Sequence, residues 1–136
     1  MLANFDAPSR EECTASRGVS NTPQQALTLL NDPTFVDASR AFAAWLLAGA
    51  SNSDRARLEA AFRKNLGRPP RSREVTSLLR FLEGQRAHYR QEAEEAEKLS
   101  RGGLAENAAA TSRVELAAWT QVCRVVLNLH ETVTRY

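Results

Sequence analysis

The side chains best suited by type to do chemistry crowd the beginning of the chain: Asp6, Arg10, Glu11, Cys13, Arg17, Asn21, Asn31 and Asp32. Carboxylates, guanidinium groups, a thiol and carboxamides in one stretch could line a ligand or anion site. Asp6, Arg10, Cys13, Asn21, Asn31 and Asp32 are therefore the candidate ligand-site residues. The competing reading is local, because Asp and Asn ahead of a helix accept its orphan N–H groups. Cys13 follows Glu11 and Glu12, and neighbouring carboxylates disfavour a thiolate. Cys123 sits in Val122-Cys123-Arg124-Val125-Val126-Leu127 and reads as a small buried apolar residue. A Cys13–Cys123 bridge stays open in an oxidising compartment. No C-x-x-C or C-x-x-C-H occurs, which excludes a zinc knuckle, a dithiol redox motif and covalent haem attachment. His88 and His130 stand alone; without H-E-x-x-H or paired-carboxylate spacing neither reads as a metal ligand. G-x-S-x-G, the phosphate-binding P-loop and G-x-G-x-x-G are all missing. Gly102-Gly103 follows a predicted helix where a dinucleotide loop would follow a strand. No catalytic residue, metal ligand or cofactor site is assigned.

Charge adds one local asymmetry. The chain has 18 Lys and Arg against 16 Asp and Glu, a net charge of +2. That balance gives no reason to expect a nucleic-acid or membrane-surface partner. Between Arg55 and Arg90, however, ten residues are basic and three acidic. One reading is a basic face for phosphate or sulfate groups. The plainer one is two solvated Arg-rich helices, since aromatic residues are not interleaved for base stacking. Nucleic-acid binding is not expected. No apolar run approaches the roughly 20 residues of a membrane span. Met1-Leu2-Ala3-Asn4-Phe5-Asp6 has neither the basic nor the apolar region of a signal peptide.

The elements that must position these residues are helices. Residues 1–21 lack periodicity, are thin in apolar side chains and read as an irregular arm that needs other surface to lie on. Residues 22–136 read as helical. Thr22-Pro23-Gln24-Gln25 carries an N-cap, a Pro at the first helical position and a capping-box Gln, opening a short helix to about Asn31. Asp32-Pro33 repeats the signature for a second helix to about Ala48, with Phe35, Ala38, Phe42, Trp45 and Leu46 as its apolar stripe and Gly49 as its stop. A third, Asp54 to Leu66, is capped by Ser53, faces the core with Leu58, Ala61, Phe62 and Leu66, and ends at Gly67. The fourth opens near Ser72 and continues to about Leu99. Val75, Leu78, Leu79, Leu82, Arg86, Tyr89 and Ala93 mark its face, and Gly84 is its weak point. The acidic run Gln91 to Lys98 reads as a solvated face or arm, and Ser100 to Thr111 as a connection. Ser112 caps a fifth helix to about Leu129, apolar over so much of its circumference that it belongs at the centre of the core. With no strand-like alternation, the fold class is all-α: a single domain, a compact bundle of about five helices with an irregular N-terminal segment.

The order of motifs resembles the C-terminal portion of a planctomycete-type domain of unknown function. The resemblance rests on Phe5-Asp6-Ala7-Pro8 with Arg10 and Cys13, and on the specific run Asn21-Thr22-Pro23-x-Gln25-Ala26-Leu27-x-Leu29-Leu30-Asn31-Asp32-Pro33-x-Phe35-Val36. It continues through Ala61-Phe62-Arg63, Gly67-Arg68-Pro69-Pro70 with Glu74, Glu115 to Thr120, and Leu127-Asn128-Leu129 with Glu131. Gln24, the single Arg17 between Cys13 and Asn21, Arg71-Ser72 and His130 depart from the family's usual residues. The scarcity of Arg near Cys13 weakens the case for an anion site there. The resemblance implies a domain that closes large exported proteins of the periplasm or cell envelope, often with a cytochrome-c-like domain upstream. It also implies that this chain is the C-terminal fragment of a larger domain, partnered by upstream domains or by another protein chain. No activity or cofactor is implied. The leading expectation is a structural or interaction module. The alternatives are part of a substrate or anion site in a polysaccharide-acting enzyme, and a docking module for a cytochrome-c-like domain through the Arg55–Arg90 face, with Arg63, Arg80 and Arg86 as the residues whose charge reversal should weaken docking.

Overall fold

A computed structural model of the chain describes residues 32–49, 51–101 and 113–129. These residues form five α-helices, with no strand among them: α1 Pro33–Ala48, α2 Asp54–Leu66, α3 Ser72–Gln91, α4 Ala93–Ser100 and α5 Arg113–Leu127. The all-α expectation holds. The predicted helix over Pro23 to Asn31, the irregular arm and most of the connection after Ser100 lie outside the described residues, as does the Ser112 cap.

Helix ends follow their local chemistry. Asp32 caps α1, its Oδ1 accepting the N–H groups of Thr34 at 2.8 Å and Phe35 at 3.3 Å, with Pro33 in the first turn. Ser53 occupies the cap of α2, but its hydroxyl makes no capping hydrogen bond, contrary to the role its residue type suggests. Gly67 closes α2 in the left-handed region at φ 72°, donating its N–H to the Arg63 carbonyl at 3.1 Å. At the start of α3, Glu74 reaches back and accepts the Arg71 N–H at 2.6 Å.

Helix α5 runs through the centre. It meets each of the other four helices, α1 and α3 most extensively. Leu116, Ala117, Ala118, Trp119, Thr120, Val122, Cys123 and Val126 are buried on it. Thr120 is tolerated there because its hydroxyl donates back to the Leu116 carbonyl at 2.6 Å. Leu58, Ala61 and Phe62 of α2 and Val75, Leu78, Leu82 and Tyr89 of α3 are also buried, as their spacing predicts.

Two expectations are corrected. The buried residues of α1 are Ser39, Arg40, Ala43 and Leu46, while Ala38 is exposed and Trp45 is 50% exposed. The helix is rotated from the stripe its apolar residues suggest, because both polar residues find partners inside. Ser39 Oγ donates to the Phe35 carbonyl at 2.8 Å. Arg40 Nε donates to the Leu99 carbonyl at 2.5 Å, in the last turn of α4 where helical carbonyls lack partners. Arg40 Nη1 also reaches Asp37 Oδ1 at 2.5 Å. Secondly, the long fourth helix is two helices. The break falls at Glu92, with φ −105° and ψ 65°, eight residues after the weak point at Gly84. Beyond it the register changes, so Ala93 is exposed and Ala96 is buried. His88 Nε2 lies 3.0 Å from Glu95 Oε2 across the break. The acidic run is solvated on Glu92, Glu94 and Glu95, yet it is no free arm: Ala96 and Leu99 pack on the core.

Candidate functional site

Of the six candidate ligand-site residues only Asp32 is described, and its carboxylate caps α1. Asp6, Arg10, Cys13, Asn21 and Asn31 lie outside the described residues. Cys123 is buried on α5 with a free thiol, and burial pushes its ionisation well above the ordinary value. It therefore packs as an apolar residue. Among the described residues no three His, Cys, Asp or Glu side chains gather as a metal site would require.

The densest cluster of charge centres on Arg86. Every N–H of its guanidinium meets a carboxylate oxygen. Nε and Nη2 both lie 2.8 Å from the two oxygens of Glu115, and Nη1 and Nη2 lie 2.8 Å and 3.0 Å from those of Asp54. Nη1 also meets Glu83 at 2.6 Å. Arg57 approaches Asp54 from the same helix at 3.4 Å. The Arg86 side chain is only 11% exposed, so α2, α3 and α5 are fastened by a largely desolvated, fully satisfied fork. Hydrogen bonding to Arg86 holds the Asp54 carboxyl below its ordinary value. Asp54, with both oxygens on Arg86 and its carboxyl held low, is a poor general base. Arg86 is consequently no part of a solvent-facing basic surface for docking, whereas Arg63 and Arg80 are exposed. The signal was present in the sequence, since Arg86 interrupts the apolar face of its helix. Its acidic partners, distant in sequence, carry no pattern that would name them.

A second ion pair braces the α2–α3 turn. Arg68 Nη1 and Nη2 grip the two oxygens of Glu74 at 3.0 Å and 2.9 Å. That hydrogen bonding, with the Arg71 N–H, lowers the Glu74 carboxyl to about 2. The Arg68 guanidinium also lies 5.5 Å from the Phe62 ring centroid.

Among the described residues, two apolar clefts stand out. The larger, about 430 Å³, lies between α1 and α2 and is lined by Trp45, Leu46, Ala48, Ala56, Arg57 and Ala60, with Gly49 and Ser51 at its end. Trp45 stacks on Phe42 at 6.0 Å between centroids, and Lys64 Nζ sits 5.2 Å above the indole. The smaller, about 290 Å³, lies between α2, α3 and α5 over Phe62, Leu78, Val125 and Leu129, with Arg73, Glu74 and Ser77 at its border. Asn65 Nδ2 donates to the Val126 carbonyl at 3.3 Å and ties α2 to α5. No helix among the described residues is long and apolar enough to cross a membrane.

No curated protein and no solved structure matches the chain. A family model described as PSD1, protein of unknown function (DUF1553), matches residues 1–82, and the chain belongs to that family.

Proposed function

We propose that this DUF1553 chain works as a non-catalytic interaction module of a larger exported protein, meeting an upstream domain or another chain through the cleft between α1 and α2. The observation that carries the reading is Trp45. It is a large indole, 50% exposed, set beside an apolar cleft of about 430 Å³ with small alanines at positions 48, 56 and 60. Interfaces concentrate their binding energy on such aromatic anchors and on the recesses around them. The charged groups best placed for chemistry are engaged in fastening helices, Arg86 on three carboxylates and Asp32 and Glu74 on helix starts. The exported setting and the upstream neighbour are what the family resemblance suggests.

Hydrogen exchange tests the reading by comparing the protein isolated from its source with the 136-residue chain produced alone. A partnered cleft slows amide exchange over residues 45–60 by about tenfold or more in the source protein, while the α5 core exchanges equally slowly in both. Identical exchange over residues 45–60 in the two samples would overturn it.

A further inference from the structure

The turn between α2 and α3 gathers charge that the rest of the chain balances. From Arg63 to Glu74 there are five basic residues, Arg63, Lys64, Arg68, Arg71 and Arg73, and one carboxylate, in a chain whose net charge is only +2. Arg63, Arg71 and Arg73 are exposed, while Lys64, also exposed, leans over the Trp45 indole. The one carboxylate is occupied, since Glu74 takes both prongs of Arg68 and the Arg71 N–H. Among the described residues, the α2–α3 turn therefore carries a surplus of positive charge. Beside it opens the cleft of about 290 Å³, with Phe62, Leu78, Val125 and Leu129 inside and Arg73 and Ser77 at the border.

We propose that this end of the bundle is a docking site for an acidic amphipathic peptide segment of another protein chain. One or two of its apolar side chains enter the cleft, and its carboxylates meet Arg73 and the neighbouring cations. Charge complementarity selects the occupant: a basic segment is repelled, and an acidic one is drawn in and held in register. The recess favours a peptide over a lipid surface. Membrane-binding faces thrust apolar side chains outward into the acyl boundary. Here Phe62 is fully buried and Leu78 only 8% exposed, so this surface receives side chains. The site is separate from the Trp45 cleft and goes beyond the role proposed for it.

Titration of the 136-residue chain with a fluorescein-labelled amphipathic peptide of Glu and Leu, followed by anisotropy, tests the proposal. A Lys–Leu counterpart and vesicles of phosphatidylserine and phosphatidylcholine run beside it. The substitutions fall on exposed side chains, so the fold is kept. Arg73→Glu reverses charge at the cleft, Ser77→Trp fills it, and Arg90→Glu makes the same charge change at the far end of α3. The Glu–Leu peptide is expected to bind, and to weaken about tenfold with Arg73→Glu or Ser77→Trp but less than about twofold with Arg90→Glu. Binding also falls as salt rises. Equal losses from Arg73→Glu and Arg90→Glu would mean undirected charge attraction and overturn the proposal. So would equal binding of the Lys–Leu peptide, or tight vesicle binding without peptide binding. Trp45→Ala is expected to leave the titration unchanged; a loss there would move the peptide to the other cleft and overturn the assignment.

Discussion

Arg86 shows how one side chain can fasten three helices without releasing much net energy. Placing a guanidinium at 11% exposure requires that every donor be satisfied, and here Asp54, Glu83 and Glu115 satisfy all five. Removing the cation is worse than never having had it, because Asp54 and Glu115, each partly buried, then face one another without a counter-charge, with the exposed Glu83 beside them. Arg86→Met, which keeps the length and loses the charge, is expected to destabilise the fold by about 2–3 kcal/mol, less than the roughly 3–5 kcal/mol of a fully buried pair since the carboxylates retain some solvent. Urea unfolding at neutral pH measures it. The pH dependence has a definite sign. Asp54 is held below its ordinary 3.8 chiefly by the hydrogen bond to Arg86, so its stabilisation is present above 3.8 and is lost as pH falls through the lower, folded-state value. The gap between the native protein and Arg86→Met should narrow below pH 3.8. A gap that stayed constant down the acid limb would mean that Asp54 and Arg86 are not coupled.

At the scale of the helices, what was legible in the sequence was what local chemistry decides. The Asp32-Pro33 start of α1, the Gly67 stop of α2 and the apolar face of α5 all depend on residues close together in the chain. The rotation of α1 and the break at Glu92 depend on partners far away. Arg40 can turn inward only because the Leu99 carbonyl waits 59 positions on, and no period in α1 announces that. Among the candidate ligand residues, only the capping role of Asp32 could be read and then seen. Two glycines turn this contrast into opposite expectations. Gly84 lies inside α3 with open space where a Cβ would stand. Gly84→Ala should therefore stabilise the protein by about 0.5–1 kcal/mol through helix propensity and reduced freedom of the unfolded chain. Gly67 sits at φ 72°, also with open space around it. Gly67→Ala should destabilise by about 1–2 kcal/mol, from left-handed backbone strain alone. Thermal unfolding of the two variants beside the native chain reads both signs, and a stabilising Gly67→Ala would mean that the turn is not left-handed.

The described helices are organised around α5, and the two tryptophans report on the centre and the edge of that arrangement. Trp119 is fully buried at the heart of the core, while Trp45 is half exposed at the α1–α2 cleft. The Trp119 indole Nε1 has no hydrogen-bond partner among the described residues, so its contribution comes from apolar packing, offset by an unpaired N–H. Trp119→Ala should cost about 3–5 kcal/mol through lost burial and the cavity left behind, a large share of the roughly 5–15 kcal/mol that keeps such a domain folded. Trp119→Phe should cost far less, about 1 kcal/mol, because it removes the unpaired N–H together with part of the ring. Trp45→Ala should stay within about 1 kcal/mol. Emission separates the two rings without unfolding anything. In Trp45→Phe the remaining fluorescence belongs to Trp119 and should be blue-shifted and shielded from iodide; in Trp119→Phe it belongs to Trp45 and should be quenched readily. Iodide quenching in Trp45→Phe as strong as in Trp119→Phe would place Trp119 in contact with solvent and remove α5 from the centre of the fold.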